Sequence, residues 1–337
     1  MKKSLQFEIW QECNSLCKYC YLGDENRNTP KEVKLKTLGD IYEMISDLSI
    51  FEEYDNLSYI GGEFFQGQLA DPDVKEAFMK VMQKTADYLR SGVIKSVWLA
   101  CTMTIGEQKD LYEVLDLFKG IDWEMGDSSD GVWVVTSYDT IGRFHSQKME
   151  DNWKFHMKNI HEKYPNIKFN TTMILTHDLI TKFLNDEFSF TDYMNEYNSS
   201  LFFKQPGSGP FGGPYTSNKE AKQMMEEKVP GFYPDRKTFI KFLNKFYVTN
   251  KDLFVKLFNI KYRADDLYRN YNDLKHHMEH NIRYKDRKKE SNLVGDEFLN
   301  ECGHLLHYAA YKDCEKCMIC DRDMVYEMMK HEADMDF

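Results

Sequence analysis

The sequence predicts an α/β fold: a partial (β/α)6 barrel over residues 1–205, followed by a mainly helical C-terminal extension. Three observations predict it. Short apolar runs alternate with stretches of helical periodicity through the first two-thirds of the chain, the signature of strand–helix units and a parallel sheet. Polar and sulfur-bearing motifs directly follow several of those runs, where barrels place their functional groups. The pattern then breaks at QPGSGPFGGPYTS, residues 205–217, whose Gly, Pro and Ser mark a loop or linker.

LQFEIW (5–10) reads as the first strand, and Leu38, Ile41, Ile45 and Leu48 then recur at helical spacing. LSYI (57–60) is the second strand, followed by a helix over 74–89. VWLAC (97–101) is the third, and Leu111, Val114, Leu115 and Phe118 mark the next helical face. VWVVTSY (132–138) and KFNTTMIL (168–175) are strands four and five, with a helix over 148–163 between them; LFFK (201–204) is the sixth. Right-handed crossovers would join them into a parallel sheet. Residues 206–295 form a linker and helical extension, with helices over 239–248 and 253–260 and a polar, exposed stretch over 273–291. Residues 296–337 form a cysteine-cluster segment, and there is no internal repeat.

Composition narrows the class. Hydrophobic residues make up 42% and charged residues 29%, which suits a globular protein with a large core. No apolar run approaches the length of a membrane span, and MKKSLQFEIW is too short and polar for a secretory signal. The net charge of −11 gives a surface field that repels phosphate backbones. The basic run RYKDRKK, 283–289, could contact a phosphate-bearing substrate, although such runs are more often solvated surface. The abundant aromatic residues read as packing.

CNSLCKYCYL, 13–22, places three cysteines within eight positions as Cys13-x3-Cys17-x2-Cys20. A disulfide would leave one thiol over, and a structural zinc site wants four ligands. Three thiolates on a tight loop suit a cubane iron–sulfur cluster with one iron open to a substrate or cofactor. Such a triplet points to a reducing cytoplasm.

The motif, placed after a first strand and with Tyr19 before its last cysteine, resembles the radical SAM superfamily. The resemblance covers residues 5–205. It implies a [4Fe–4S] cluster on Cys13, Cys17 and Cys20, with S-adenosylmethionine chelated to the open iron. Reduction by a partner such as flavodoxin or ferredoxin would cleave SAM to a 5′-deoxyadenosyl radical that abstracts hydrogen from substrate. Gly61, Gly62 and Glu63 in YIGGEFF are similar to the family's Gly-Gly-Glu motif, which binds the SAM amino group, with Phe64 where the family often has Pro. Glycines permit close backbone approach, and Glu63 can accept from an ammonium. SYDTIGRFH, 137–145, resembles the family's Ser-x-Asp with a following Arg. Ser137 would reach the SAM ribose or carboxylate, and Arg143 would pair with the carboxylate. Asp139 is either a ligand residue or a helix N-cap. Cys101 reads as a small buried hydrophobe. Asn170 and Thr172 share one face of strand five, inward or outward.

A second cluster, Cys302-x11-Cys314-x2-Cys317-x2-Cys320, is a metal signal in its own right. Zinc held by four thiolates would pin the segment; a second [4Fe–4S] cluster could also relay electrons or bind substrate. The cluster resembles the auxiliary-cluster extensions of radical SAM enzymes, without reproducing the SPASM spacing. His304 and His307 read as structural. The substrate would be a peptide, or alternatively a nucleotide or nucleic-acid base. A reading of another class is a non-catalytic, zinc-stabilised interaction protein.

Overall fold

The computed structural model describes residues 3–20, 28–121, 130–204 and 219–235, together with residues 238, 241, 242, 245, 246, 249 and 250. The chain opens with β1 (Lys3–Glu8), α1 (Lys31–Ser46), a 3-10 turn (Leu48–Glu52), β2 (Tyr54–Ile60) and α2 (Pro72–Arg90). It continues with β3 (Ser96–Ala100), α3 (Lys109–Leu117), β4 (Gly131–Tyr138), α4 (Gln147–Lys163) and β5 (Lys168–Ile174). Then come α5 (His177–Leu184), α6 (Phe190–Tyr197), β6 (Ser199–Lys204) and α7 (Lys219–Lys228). The six strands form one all-parallel sheet in sequential order, β1 to β6. Sequential order with uniform crossovers puts the carboxyl ends of all strands on one edge.

The local sequence explains the start of the helices. Asp71 caps α2 by accepting from the Asp73 and Val74 amides, and Pro72 follows it in the first turn, where its missing N–H costs nothing. Ser146 and Thr176 cap α4 and α5 in the same way. Val74, Phe78, Val81, Met82, Thr85 and Leu89 form the buried stripe of α2.

The pleat divides each strand between two environments. Phe7, Tyr59, Leu99 and Val134 stand in one cross-strand row and are all buried. Tyr59 reaches α2, where its hydroxyl pairs with Thr85 at 2.6 Å. The alternate row contains Ser58, Trp98 and Trp133, with the two indoles stacked 5.3 Å apart. Lys168, Asn170 and Thr172 are half-buried between buried neighbours, and the Lys168 ammonium lies over the Trp133 ring. Asn170 and Thr172 therefore share the Trp133 side of the sheet.

All six expected strands are present, within two residues at each end apart from the earlier start of β2. Leu48 lies in the 3-10 turn, which Asp47 begins by accepting from the Ser49 amide, so α1 ends two residues earlier than its apolar spacing suggested. Two helices of eight residues each, α5 and α6, were not anticipated, nor was α7. Of the expected helix over 239–248, described residues 241, 242, 245 and 246 are helical. The expected helix over 253–260 and the stretches 273–291 and 296–337 lie outside the described residues.

The contacts form two compact units. The first comprises Met1–Tyr138, Arg143–Thr172 and Asp192–Leu201. The second comprises Asp139–Gly142, Met173–Thr191 and the described residues from Phe202 onward. Its core is a ring cluster of Phe183, Phe190, Phe203, Phe242 and Phe246. Lys245 closes the end of α5, donating to the Phe183 and Leu184 carbonyls at 3.0 Å where the helix dipole favours a cation. Among the described residues, no helix is long and apolar enough to cross a membrane.

Candidate functional site at the carboxyl edge of the sheet

The site begins where β1 runs out. The chain stays paired past Glu8: the Ile9 amide donates to the Ile60 carbonyl at 3.0 Å. Beyond it, the Gly62 and Glu63 amides donate to the Trp10 and Glu12 carbonyls, each at 2.8 Å. The Trp10 indole returns a bond to the Glu63 carbonyl at 2.7 Å. This contact is so close that neither glycine can carry a side chain. A Cβ on Gly61 would meet the Trp10 carbonyl oxygen, and one on Gly62 the Gln11 and Glu12 carbonyl oxygens. The glycines thus admit the chain's own segment 10–12, which leads directly into Cys13. Phe64 is fully buried and packs edge-on against Trp10 at 5.6 Å, which accounts for an aromatic at that position.

Glu63 is 1% exposed, and its carboxylate is engaged by three backbone amides. Oε1 accepts from Phe64 at 2.8 Å and Phe65 at 3.0 Å, and Oε2 from Thr102 at 2.6 Å. The third bond joins the turn after β2 to the end of β3. Thr102 is the hub of the site. Its N–H meets the Glu63 carboxylate, and its carbonyl lies 3.4 Å from Nη2 of the buried Arg143. Its hydroxyl accepts from Ser15 Oγ at 3.0 Å and from Gln66 Nε2. Gln66 Nε2 also reaches Thr104 at 2.7 Å, and the Gln66 carbonyl accepts from Asn14 at 2.8 Å. Arg143 is further held by Thr136 at 3.2 Å. Two buried opposite charges therefore bracket the backbone of one residue, the arrangement that makes a buried ionic group tolerable.

The cysteine loop hangs on this hub. The Ser15 amide donates to Cys13 Sγ at 3.4 Å, and the Ser15 carbonyl lies 3.0 Å from His145 Nε2. The Cys20 amide donates to the Cys17 carbonyl at 3.0 Å. Leu16 in this loop and Met103 beside the hub hold positive φ, 53° and 55°, a left-handed conformation that costs a non-glycine residue about 1–3 kcal/mol and is found at functional sites. Lys34 of α1 anchors the approach. Its ammonium pairs with Glu12 at 2.6 Å, donates to the Gln68 carbonyl and lies 5.1 Å over the Trp10 ring.

Cys13, Cys17 and Cys20 are half-buried and stand outside any disulfide, and burial pushes the Cys13 thiol above its ordinary value. Three thiols on one short loop at the end of a strand are a donor set suited to iron. Among the described residues, however, no three His, Cys, Asp or Glu side chains are gathered as a metal site. Cys101 is buried; burial and the nearby Glu63 charge push its thiol well above its usual range, as expected of a core cysteine.

Ser137 is half-buried near the end of β4. Asp139 is fully buried, and its Oδ1 accepts from the Ile141 and Gly142 amides. It caps a tight turn, whereas the N-cap of α4 is Ser146. Cys302, Cys314, Cys317 and Cys320, His304 and His307, and the basic run 283–289 lie outside the described residues. Sequence reading missed Ser15, Gln66, Thr104, His145 and the Glu12–Lys34 pair. The available signal was only that polar residues cluster just after apolar runs.

The chain matches no protein-family model and no curated protein sequence.

Proposed function

We propose that the chain is a radical SAM enzyme on a partial (β/α)6 barrel, with Cys13, Cys17 and Cys20 holding a [4Fe–4S] cluster. The observation that carries this reading is the loop of three half-buried thiols at the carboxyl end of β1, tied by backbone bonds to a Gly-Gly-Glu turn with a buried Glu63 at the end of β2. Bound there, the cluster and S-adenosylmethionine supply one-electron cleavage of the sulfonium and hydrogen abstraction from substrate. The chain's own part is to bind, orient and exclude water. Glu63 fixes the turn and contributes buried negative charge toward the SAM ammonium; Arg143 contributes buried positive charge toward its carboxylate. Gly61 and Gly62 let the turn lie flat against the segment leading to Cys13. Ser137 offers a hydroxyl to the ribose or carboxylate, and Asp139 shapes the turn that follows it. A reducing cytoplasm and a flavodoxin- or ferredoxin-type donor suit thiols that stand outside disulfides. The C-terminal cysteines hold a second [4Fe–4S] cluster or zinc, and an auxiliary site of that kind suits a peptide substrate.

Iron and sulfide analysis of anaerobically purified protein tests this. About four irons per chain indicate one cluster and about seven to eight indicate two. With dithionite and SAM the protein forms 5′-deoxyadenosine, and Cys13→Ala, Cys17→Ala and Cys20→Ala each abolish it. Zinc without iron, or undiminished 5′-deoxyadenosine from a cysteine variant, overturns the reading.

A further inference from the structure

Ser15 is held at three points. Its hydroxyl is fastened to Thr102 Oγ1 at 3.0 Å and lies 3.4 Å from Gln66 Oε1. Its carbonyl meets His145 at 3.0 Å, and its amide is aimed at Cys13 Sγ at 3.4 Å. Ser15 is 1% exposed, and the partners of its hydroxyl and carbonyl come from the loops after β2, β3 and β4 rather than from solvent. This is more fixing than a turn needs. An N–H directed at a cluster sulfur stabilises the more negative, reduced state, and hydrogen bonds to cysteinyl sulfur are a lever on cluster potential.

Resting on the proposed cluster assignment, we infer that Ser15 is a positioning residue. The Gln66–Thr102 hydroxyl network holds its peptide N–H on Cys13 and thereby raises the reduction potential of the cluster in this loop. Thr102 acts through its side chain in this role and through its peptide in the Glu63–Arg143 bracket. The two roles are separable, because Thr102→Val keeps the peptide and the branched shape but removes the acceptor for both Ser15 and Gln66.

The test compares anaerobically reconstituted wild type, Thr102→Val, Thr102→Ser and Ser15→Ala. Iron content and midpoint potential are measured by an electron paramagnetic resonance-monitored reductive titration. At equal iron content, Thr102→Val makes reduction about tenfold less favourable, a shift of about 59 mV to more negative potential for one electron. Thr102→Ser, which restores the hydroxyl, returns the wild-type value. Ser15→Ala keeps the peptide N–H but loses its anchor, and shifts in the same direction; it decides the matter if Thr102→Val takes up no iron. Unchanged potentials in iron-replete variants overturn this inference alone. A wild-type protein that binds no iron–sulfur cluster overturns the cluster assignment and the inference with it.

Discussion

The backbone of Thr102 shows how few atoms hold this site together. Its N–H is bound by Glu63 and its carbonyl by Arg143, both buried. Glu63→Ala would strand the Phe64, Phe65 and Thr102 amides in the interior. A buried donor left unsatisfied costs about 1–3 kcal/mol, so the variant should lose about 3–5 kcal/mol in denaturant unfolding. Glu63→Gln, which keeps one acceptor oxygen, should lose less. An alanine variant within about 1 kcal/mol of wild type would show that the three bonds are replaced by water. His156 is a second buried group with a measurable signature. Its Nδ1 pairs with Tyr112 at 3.0 Å and its Nε2 with the Ile105 carbonyl at 2.9 Å. Burial lowers its pKa from the ordinary 6.5. As pH falls, the unfolded chain takes up the proton first, so the stability contributed by neutral His156 is full above the ordinary value and lost as pH drops toward the folded one. Melting temperatures recorded between about pH 7.5 and 5.5 should fall more steeply for wild type than for His156→Gln; parallel slopes would refute this.

At the scale of elements, the strands were legible because each carries a short apolar or alternating run set off by polar and turn residues. Helices α1 to α4 were legible from their stripes. α5 and α6 were not, because eight residues contain barely two turns, too few for the period to stand out. The Gly-Gly-Glu turn was legible by its residues but not by its geometry. No local pattern reveals that the atoms pressed against Gly61 and Gly62 belong to residues 10–12, some fifty positions earlier. Gly62→Ala forces a methyl group onto two backbone carbonyls that cannot rotate away. It should cost about 2 kcal/mol or more and displace the segment ahead of Cys13. Gly39, inside α1, has nothing within 4 Å of its would-be Cβ, so Gly39→Ala should instead stabilise by about 0.5–1 kcal/mol. Similar unfolding midpoints for the two variants would contradict the close-approach argument. Ser15 and Gln66 were illegible for a related reason: a hydroxyl and an amide become a network only when four strand ends meet on one edge.

At the scale of the whole molecule, the sequential strand order and the hub make different demands on time. Each strand pairs with its immediate predecessor, so the sheet can grow as the chain leaves the ribosome, without waiting for distant partners. The bonds that fix the cysteine loop cannot. Ser15 waits 87 residues for Thr102 and 130 for His145. During synthesis there is an interval in which β1 to β3 exist while His145 is still unmade, so that the Ser15 carbonyl lacks its anchor and the three thiols are more open to oxidation. Nascent chains arrested with residues up to 121 outside the ribosome should react with a thiol-alkylating reagent at Cys13, Cys17 and Cys20 much faster than chains arrested beyond 204. Equal labelling at both lengths would mean that the loop is set by its own turn. The order of manufacture thus completes the tethering of the cysteine loop late, once β4 and its following loop have closed over Ser15.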